Sequence, residues 1–229
     1  MPPTHTRWIT SVIVATCALA ACTTTHRGAV QTSPAPAAGH QTQVSDSARA
    51  RADSVRHPYT QADVDFMSHM IGHHAQARVM AGWAPTHGAG PSVRILAERI
   101  INAQQDEIAS MQRWLGDRGK PVPEARPTGM KMMTNGVEHE MLMPGMLTEA
   151  QMRQLDQAKG PEFDRLFLTY MIQHHRGAVS MVKDLFGTNG AAQDETVFKF
   201  ANDVNVDQST EIARMEKMLA TSGSGAGSP

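Results

Sequence analysis

Cysteine is almost missing from this chain. Of its 229 residues only 2 are cysteine, Cys17 and Cys22, and both lie in an apolar N-terminal stretch. Beyond that stretch no disulfide framework can form, and any metal site there must do without thiolate. Aromatic residues are scarce at 5%, which speaks against a large β-sandwich. A charge of one sign is lacking too: the formal net charge is −1, so nothing draws the chain as a whole toward nucleic acid or an anionic membrane. Segments that alternate β-branched and polar residues are nearly absent, so strands are not expected. No phosphate loop, dinucleotide fingerprint or nucleophile elbow is present. Against these gaps stand 16 methionines and 11 histidines.

The N-terminus reads as an export signal. His5 and Arg7 precede the run "WITSVIVATCALAAC", which is too short to span a bilayer comfortably and ends in small residues. Its last four residues, Leu19-Ala20-Ala21-Cys22, match a bacterial lipobox, in which Cys22 becomes the lipid-modified first residue of the mature chain. Residues 1–22 are therefore expected to be a lipoprotein signal, the membrane being touched through this anchor only. Residues 23–57, rich in Thr, Ser, Ala, Pro and Gln, are expected to form a disordered tether. A folded domain is expected over 58–220 and a flexible tail over 221–229.

Within the domain the pattern is helical. Thr60 with Asp63, and Thr148 with Gln151, have capping-box spacing, and Pro91 and Pro161 suit a first helical turn. Long helices are expected over 60–84, 91–116, 161–186 and 194–219, with a short one opened by Thr148. The stretch 129–146, "GMKMMTNGVEHEMLMPGM", connects the halves, and its Gly and Pro are expected to break regular structure. It would be either an apolar lid or a flexible copper-capture segment using His139, Met141 and Met143.

The two halves repeat. "MIGHHAQARVM" at 70–80 returns as "MIQHHRGAVSM" at 171–181, Asp63 and Phe66 correspond to Asp164 and Phe167, and "QDEIASM" at 105–111 corresponds to "STEIARM" at 209–215. Each half is then a helical hairpin that cannot bury its apolar stripe alone, and two of them make an all-α four-helix bundle with approximate two-fold symmetry. Helical spacing puts Phe66, Met70, His73, Ala77 and Met80 on one stripe, and Phe167, Met171, His174, Ala178 and Met181 on its counterpart. His74 and His175 sit at the flank, about 100° round the helix. Gln104, Glu107 and Met111 share a face of the second helix, as Gln208, Glu211 and Met215 do on the fourth. The core should then hold a layer of His, Glu and Gln bordered by Met, which is costly to bury unless its members bond one another or a metal.

A methionine at a core position is ordinarily a gap filler, and a lone buried histidine is ordinarily a hydrogen-bonded core residue. The symmetric duplication of both favours ligation. The candidate ligands are Met70, His73, His74, Met80, Met171, His174, His175 and Met181, with Glu107 and Glu211 as either ligands or partners that hold an imidazole. Ferritin-like di-iron bundles present Glu-x-x-His, whereas this chain reads Met70-x-x-His73 and Met171-x-x-His174. A thioether in place of a carboxylate selects copper(I), with zinc and iron as the alternatives. Because copper needs neutral imidazole, whose ordinary pKa is about 6.5, binding is expected to weaken below about pH 6.

With these residues in view, "FMSHMIGHHAQARVM" and "GPEFDRLFLTYMIQHHRGAVSM" resemble the bacterial family named domain of unknown function 305. The resemblance spans about residues 58–220. It implies a ferritin-like bundle in secreted or envelope proteins, copper binding among relatives, and carry-over of Met70, His73, His74, Met171, His174 and His175. The repeats differ at Arg78, where the second copy has Val179, outside the proposed ligands. The favoured expectation is a lipid-anchored envelope protein that binds or buffers copper rather than an enzyme. A ferritin-like metallo-oxidase and a non-metal interaction bundle remain alternatives, and self-association into a homo-oligomer stays open.

Overall fold

A computed structural model of the protein describes residues 48, 52, 58–127, 129–134 and 136–224. The signal, Cys22 and the rest of the tether lie outside the described residues. Over the described residues 58–224, five helices and one hairpin follow in order: α1 (Gln61–Gly82), α2 (Pro91–Asp117), β1 (Met130–Thr134), β2 (Val137–Met141), α3 (Glu149–Gln157), α4 (Gly160–Gly187) and α5 (Glu195–Ser224). The four long helices pair as α1 with α2 and α4 with α5, and the two hairpins meet along α1 and α4. This is the all-α bundle that the duplication requires.

The helix starts follow from local chemistry. Thr60 and Asp63 form a reciprocal capping box at α1, and Thr148 and Gln151 form one at α3. Proline occupies the first turn of α2 and α4, where its missing N–H would be unpaired anyway. The duplicated aspartates also tie the halves together. Asp63 Oδ1 accepts from the backbone N–H of Ala192 at 2.7 Å, ahead of α5, and Asp164 accepts from the N–H of Gly90, the residue capping α2. Each hairpin thus clamps the loop of the other, which explains why both copies keep an aspartate there.

The core falls into two apolar clusters. One gathers Met67, Met70 and Ile71 of α1 with Ile108 and Met111 of α2, Ala178 and Met181 of α4, and Val197 and Val204 of α5. The other gathers Ala77 and Met80 of α1 with Leu96 and Ile100 of α2, Phe167 and Met171 of α4, and Met215 of α5. On every long helix the chain passes from one cluster to the other through the histidine, glutamine and glutamate positions. The polar layer therefore lies midway along the bundle, between two apolar plugs, and successive helices run antiparallel.

Two expectations are corrected. The connector is not free of regular structure: β1 and β2 pair antiparallel, with Met130 opposite Met141 and Met132 opposite His139. The signal was the Asn135-Gly136 dipeptide alone, with Gly136 at φ +79°, a left-handed value that tight hairpin turns demand. The final helix also runs to Ser224, into the stretch expected to be a flexible tail.

Candidate metal centre

The layer is built from four histidines, all completely buried: His73, His74, His174 and His175. The rings of His73 and His174 lie against each other across the α1–α4 contact, with centroids 3.8 Å apart and planes tilted by 40°. His74 and His175 turn outward to the partner helix of their own hairpin. His74 Nε2 is 2.7 Å from Glu107 Oε2, and His175 Nε2 is 2.7 Å from Glu211 Oε2. The second contact has hydrogen-bond geometry; the first has the distance but not the alignment, so its two atoms stay unpaired. Glu107 and Glu211 keep 17% and 18% of their side-chain surface, enough to place each carboxylate between the layer and solvent.

Hydrogen bonding fixes which nitrogen carries the proton. The Pro144 carbonyl can only accept, so the His73 Nε2–H donates to it at 2.9 Å, leaving His73 Nδ1 as a bare lone pair in the neutral ring. Glu211 likewise fixes the proton of His175 on Nε2 when its carboxylate is ionised. Among the described residues, Nδ1 of His73, His74 and His175, and both ring nitrogens of His174, find no hydrogen-bond partner. The side-chain amides of Gln104 and Gln208, each 2% exposed, add further unpaired atoms in the same layer. A buried polar atom left unsatisfied costs about 1–3 kcal/mol, so this concentration in one layer calls for a ligand.

Burial sets the charge state. Desolvation first, and then the neighbouring His74, hold His73 down to about 3, and desolvation followed by His73 holds His174 well below its ordinary value. Both are neutral throughout the physiological range, as a ligand must be.

A strap from the connector closes the layer. Met143-Pro144-Gly145-Met146 makes a turn with the Pro-Gly signature of type II, with Gly145 at φ +79°. Gln76 grips the next residue at both ends: its Nε2 donates to Leu147 O at 3.0 Å, and Leu147 N donates to its Oε1 at 2.7 Å. Gln173 donates to Gly145 O at 3.3 Å. The strap runs so close to α4 that a Cβ on Gly177 would sit 1.9 Å from Pro144 O. Gln76 and Gly177 are equivalent positions in the two repeats, one holding the strap and the other making room for it. Neither drew notice in the sequence. The signal was there as a Gln-for-Gly exchange inside an otherwise matched motif.

The other expected ligands are distributed as follows. Met70, Met80 and Met171 are fully buried and Met181 is 9% exposed; they line the plugs on either side of the layer. Met143 is buried at the head of the strap, whereas Met141 is 46% exposed on β2 and is not brought to the layer. The His139 side chain lies outside what the structure describes. Among the described residues no three His, Cys, Asp or Glu side chains are gathered closely enough to enclose a metal by themselves. The donor set fits a soft cation of low coordination number, held by imidazole and thioether, better than a hard ion that needs several oxygens.

A family model described as domain of unknown function (DUF305) matches residues 63–219, and the chain belongs to that family. A DUF305 protein from Streptomyces coelicolor, assigned as secreted, shares 30% identity and a TM-score of 0.59, covering 71% of this chain and 94% of its own. A DUF305 fragment from Deinococcus radiodurans shares 30% identity and a TM-score of 0.58, covering 72% and 99%. CopM in its Cu(II)-bound form shares 29% identity and a TM-score of 0.54, covering 69% and 96%, and CopM structures with Cu(I) and silver are similar too. No curated protein matches the chain significantly.

Proposed function

We propose that this DUF305 protein is a copper-binding protein of the cell envelope, which takes up copper, as copper(I) in preference, at the buried histidine layer. One observation carries the reading: four fully buried histidines whose ring nitrogens are mostly unpartnered, all four with Nδ1 free of any hydrogen bond among the described residues. His73, His74, His174 and His175 would supply imidazole, and Met70, Met80 and Met171 thioether. Glu107 and Glu211 would hold the rings of His74 and His175 by their outer nitrogens. Copper bound there would offer a shielded soft cation, with the Pro144 strap limiting its exchange. The resemblance to CopM, whose structures hold Cu(I), Cu(II) and silver, supports this reading.

The buried layer has few carboxylates. Glu107 and Glu211 each already face an imidazole, which favours storage or transfer of copper over di-iron oxidase chemistry. The secreted assignment of the Streptomyces coelicolor neighbour supports a site outside the cytoplasm, and Cys22 would anchor the chain by lipid. No helix among the described residues is long and apolar enough to cross a membrane.

The test is copper(I) competition titration of purified protein at pH 7.5. The His73→Ala/His174→Ala double variant should lose the tight site. Met70→Leu/Met171→Leu should keep the fold, because the volume is nearly conserved and such swaps cost less than about 1.5 kcal/mol, while weakening copper(I). Wild-type affinity in both variants would refute the assignment.

A further inference from the structure

The two halves are not equally covered on their outer flank. In the second half the face beside α4 is filled: Phe163, Leu166 and Leu155 are buried together, and the Tyr170 hydroxyl donates to Gln154 of α3. The equivalent positions of the first half are Ala62, Asp65 and His69, all smaller or polar. There the β-hairpin replaces α3, and a groove of about 330 Å³ remains. His69, Met130, Met143 and Met181 line it, with Asp65 and Asp184 as its carboxylates. His69 and Met130 are half-buried, Met143 and Met181 are buried, and the His69 ring makes no hydrogen bond among the described residues. Burial, opposed by the nearby Asp65, holds His69 below its ordinary value.

One imidazole and three thioethers facing a single groove make a donor set that hard cations do not favour and soft ones do. The thioethers come from three separate elements: Met130 from β1, Met143 from the strap and Met181 from α4. Core filling accounts for the buried Met143 and Met181, and Met130 packs at the edge of the same apolar cluster, where it lines the groove together with His69. Met143 directly precedes Pro144, whose carbonyl accepts a hydrogen bond from His73 Nε2–H. We propose that this groove is a second site for one soft monovalent cation of the copper(I) and silver(I) class, held by His69, Met130, Met143 and Met181, and that it delivers the ion to the buried layer past the strap. The delivery step rests on the copper reading of that layer; the groove site itself does not.

Silver(I) is the probe, added to the full chain whose methionine methyls are labelled with carbon-13. The resonances of Met130, Met143 and Met181 should shift together at one equivalent. His69→Leu, and separately the milder Met130→Leu, should weaken that equivalent by about tenfold or more and slow loading of the buried layer. The His73→Ala/His174→Ala variant should keep the groove equivalent. Silver that shifts none of these methyls, or that binds both groove variants as it binds wild type, overturns the groove site and leaves the buried layer standing. Groove binding that persists while the His73/His174 variant loses nothing overturns the buried layer instead.

Discussion

Acid should destabilise the metal-free protein well before its carboxylates titrate. His73 has an ordinary value of 6.5 when unfolded and about 3 when folded, so between those limits the unfolded chain binds a proton that the native state refuses. Stability therefore rises with pH across this window and falls as pH is lowered through 6.5. One unit below the unfolded value, at pH 5.5, the loss from His73 alone is about 1.4 kcal/mol relative to pH 7.5. His174, also held well below its ordinary value by burial, adds in the same direction. Asp164 and Asp207 are held above the ordinary carboxylate value, chiefly by burial, and act oppositely at lower pH, so the comparison should stop at 5.5. The assay is urea unfolding followed by far-ultraviolet circular dichroism, in a copper chelator, at pH 7.5 and 5.5. His73→Gln, which cannot titrate, should show a shallower pH dependence than wild type. Equal stability of the wild type at the two pH values would refute the claim that these rings are buried and neutral.

Three further outcomes test other parts of the structure. Gly177→Ala should cost about 1–3 kcal/mol by overpacking against Pro144, while Gly187→Ala, whose Cβ meets nothing within 4 Å, should be close to neutral in the same thermal melt. Asp63→Ala should lower stability by about 2 kcal/mol in urea unfolding, since it removes the α1 capping box and leaves the buried Ala192 N–H unpaired. Cys22→Ala should move the protein from the membrane to the soluble fraction on cell fractionation, and unchanged partitioning would remove the lipobox reading.

The bundle was legible because its physics is local and repeated. Capping boxes at Thr60 and Thr148, prolines at Pro91 and Pro161 and an apolar stripe written twice each specify helix independently, and the duplication supplies the pairing. Helix starts lie within a residue of expectation, since caps are short-range chemistry, whereas α5 runs past its expected end at Leu219 to Ser224. The β-hairpin was passed over for the opposite reason. It depends on one turn dipeptide and on packing against the bundle, and its methionine-rich strands carry little β-propensity of their own.

The layer itself was partly legible. Period 3.6 put His73 and His174 on inward stripes and their neighbours on the flank, and the central ring pair and outward His–Glu pairs have that arrangement. What the sequence could not carry is the tautomer of His73, because the atom that sets it belongs to Pro144, far along the chain in a loop with no periodic signal. The same long-range contact explains the broken symmetry at Gln76 and Gly177. A two-fold bundle offers two equivalent flanks for the connector, and a single connector can cross the layer only once. One repeat therefore needs a side chain to grip the strap and the other needs none at all, so Gly177 follows from the strap's position rather than from helix propensity. By the same logic Gly177→Gln, which would restore the repeat, should displace the strap and open the histidine layer. Faster copper(I) exchange than wild type is the expected result, and an unchanged exchange rate would show that the strap does not gate the layer.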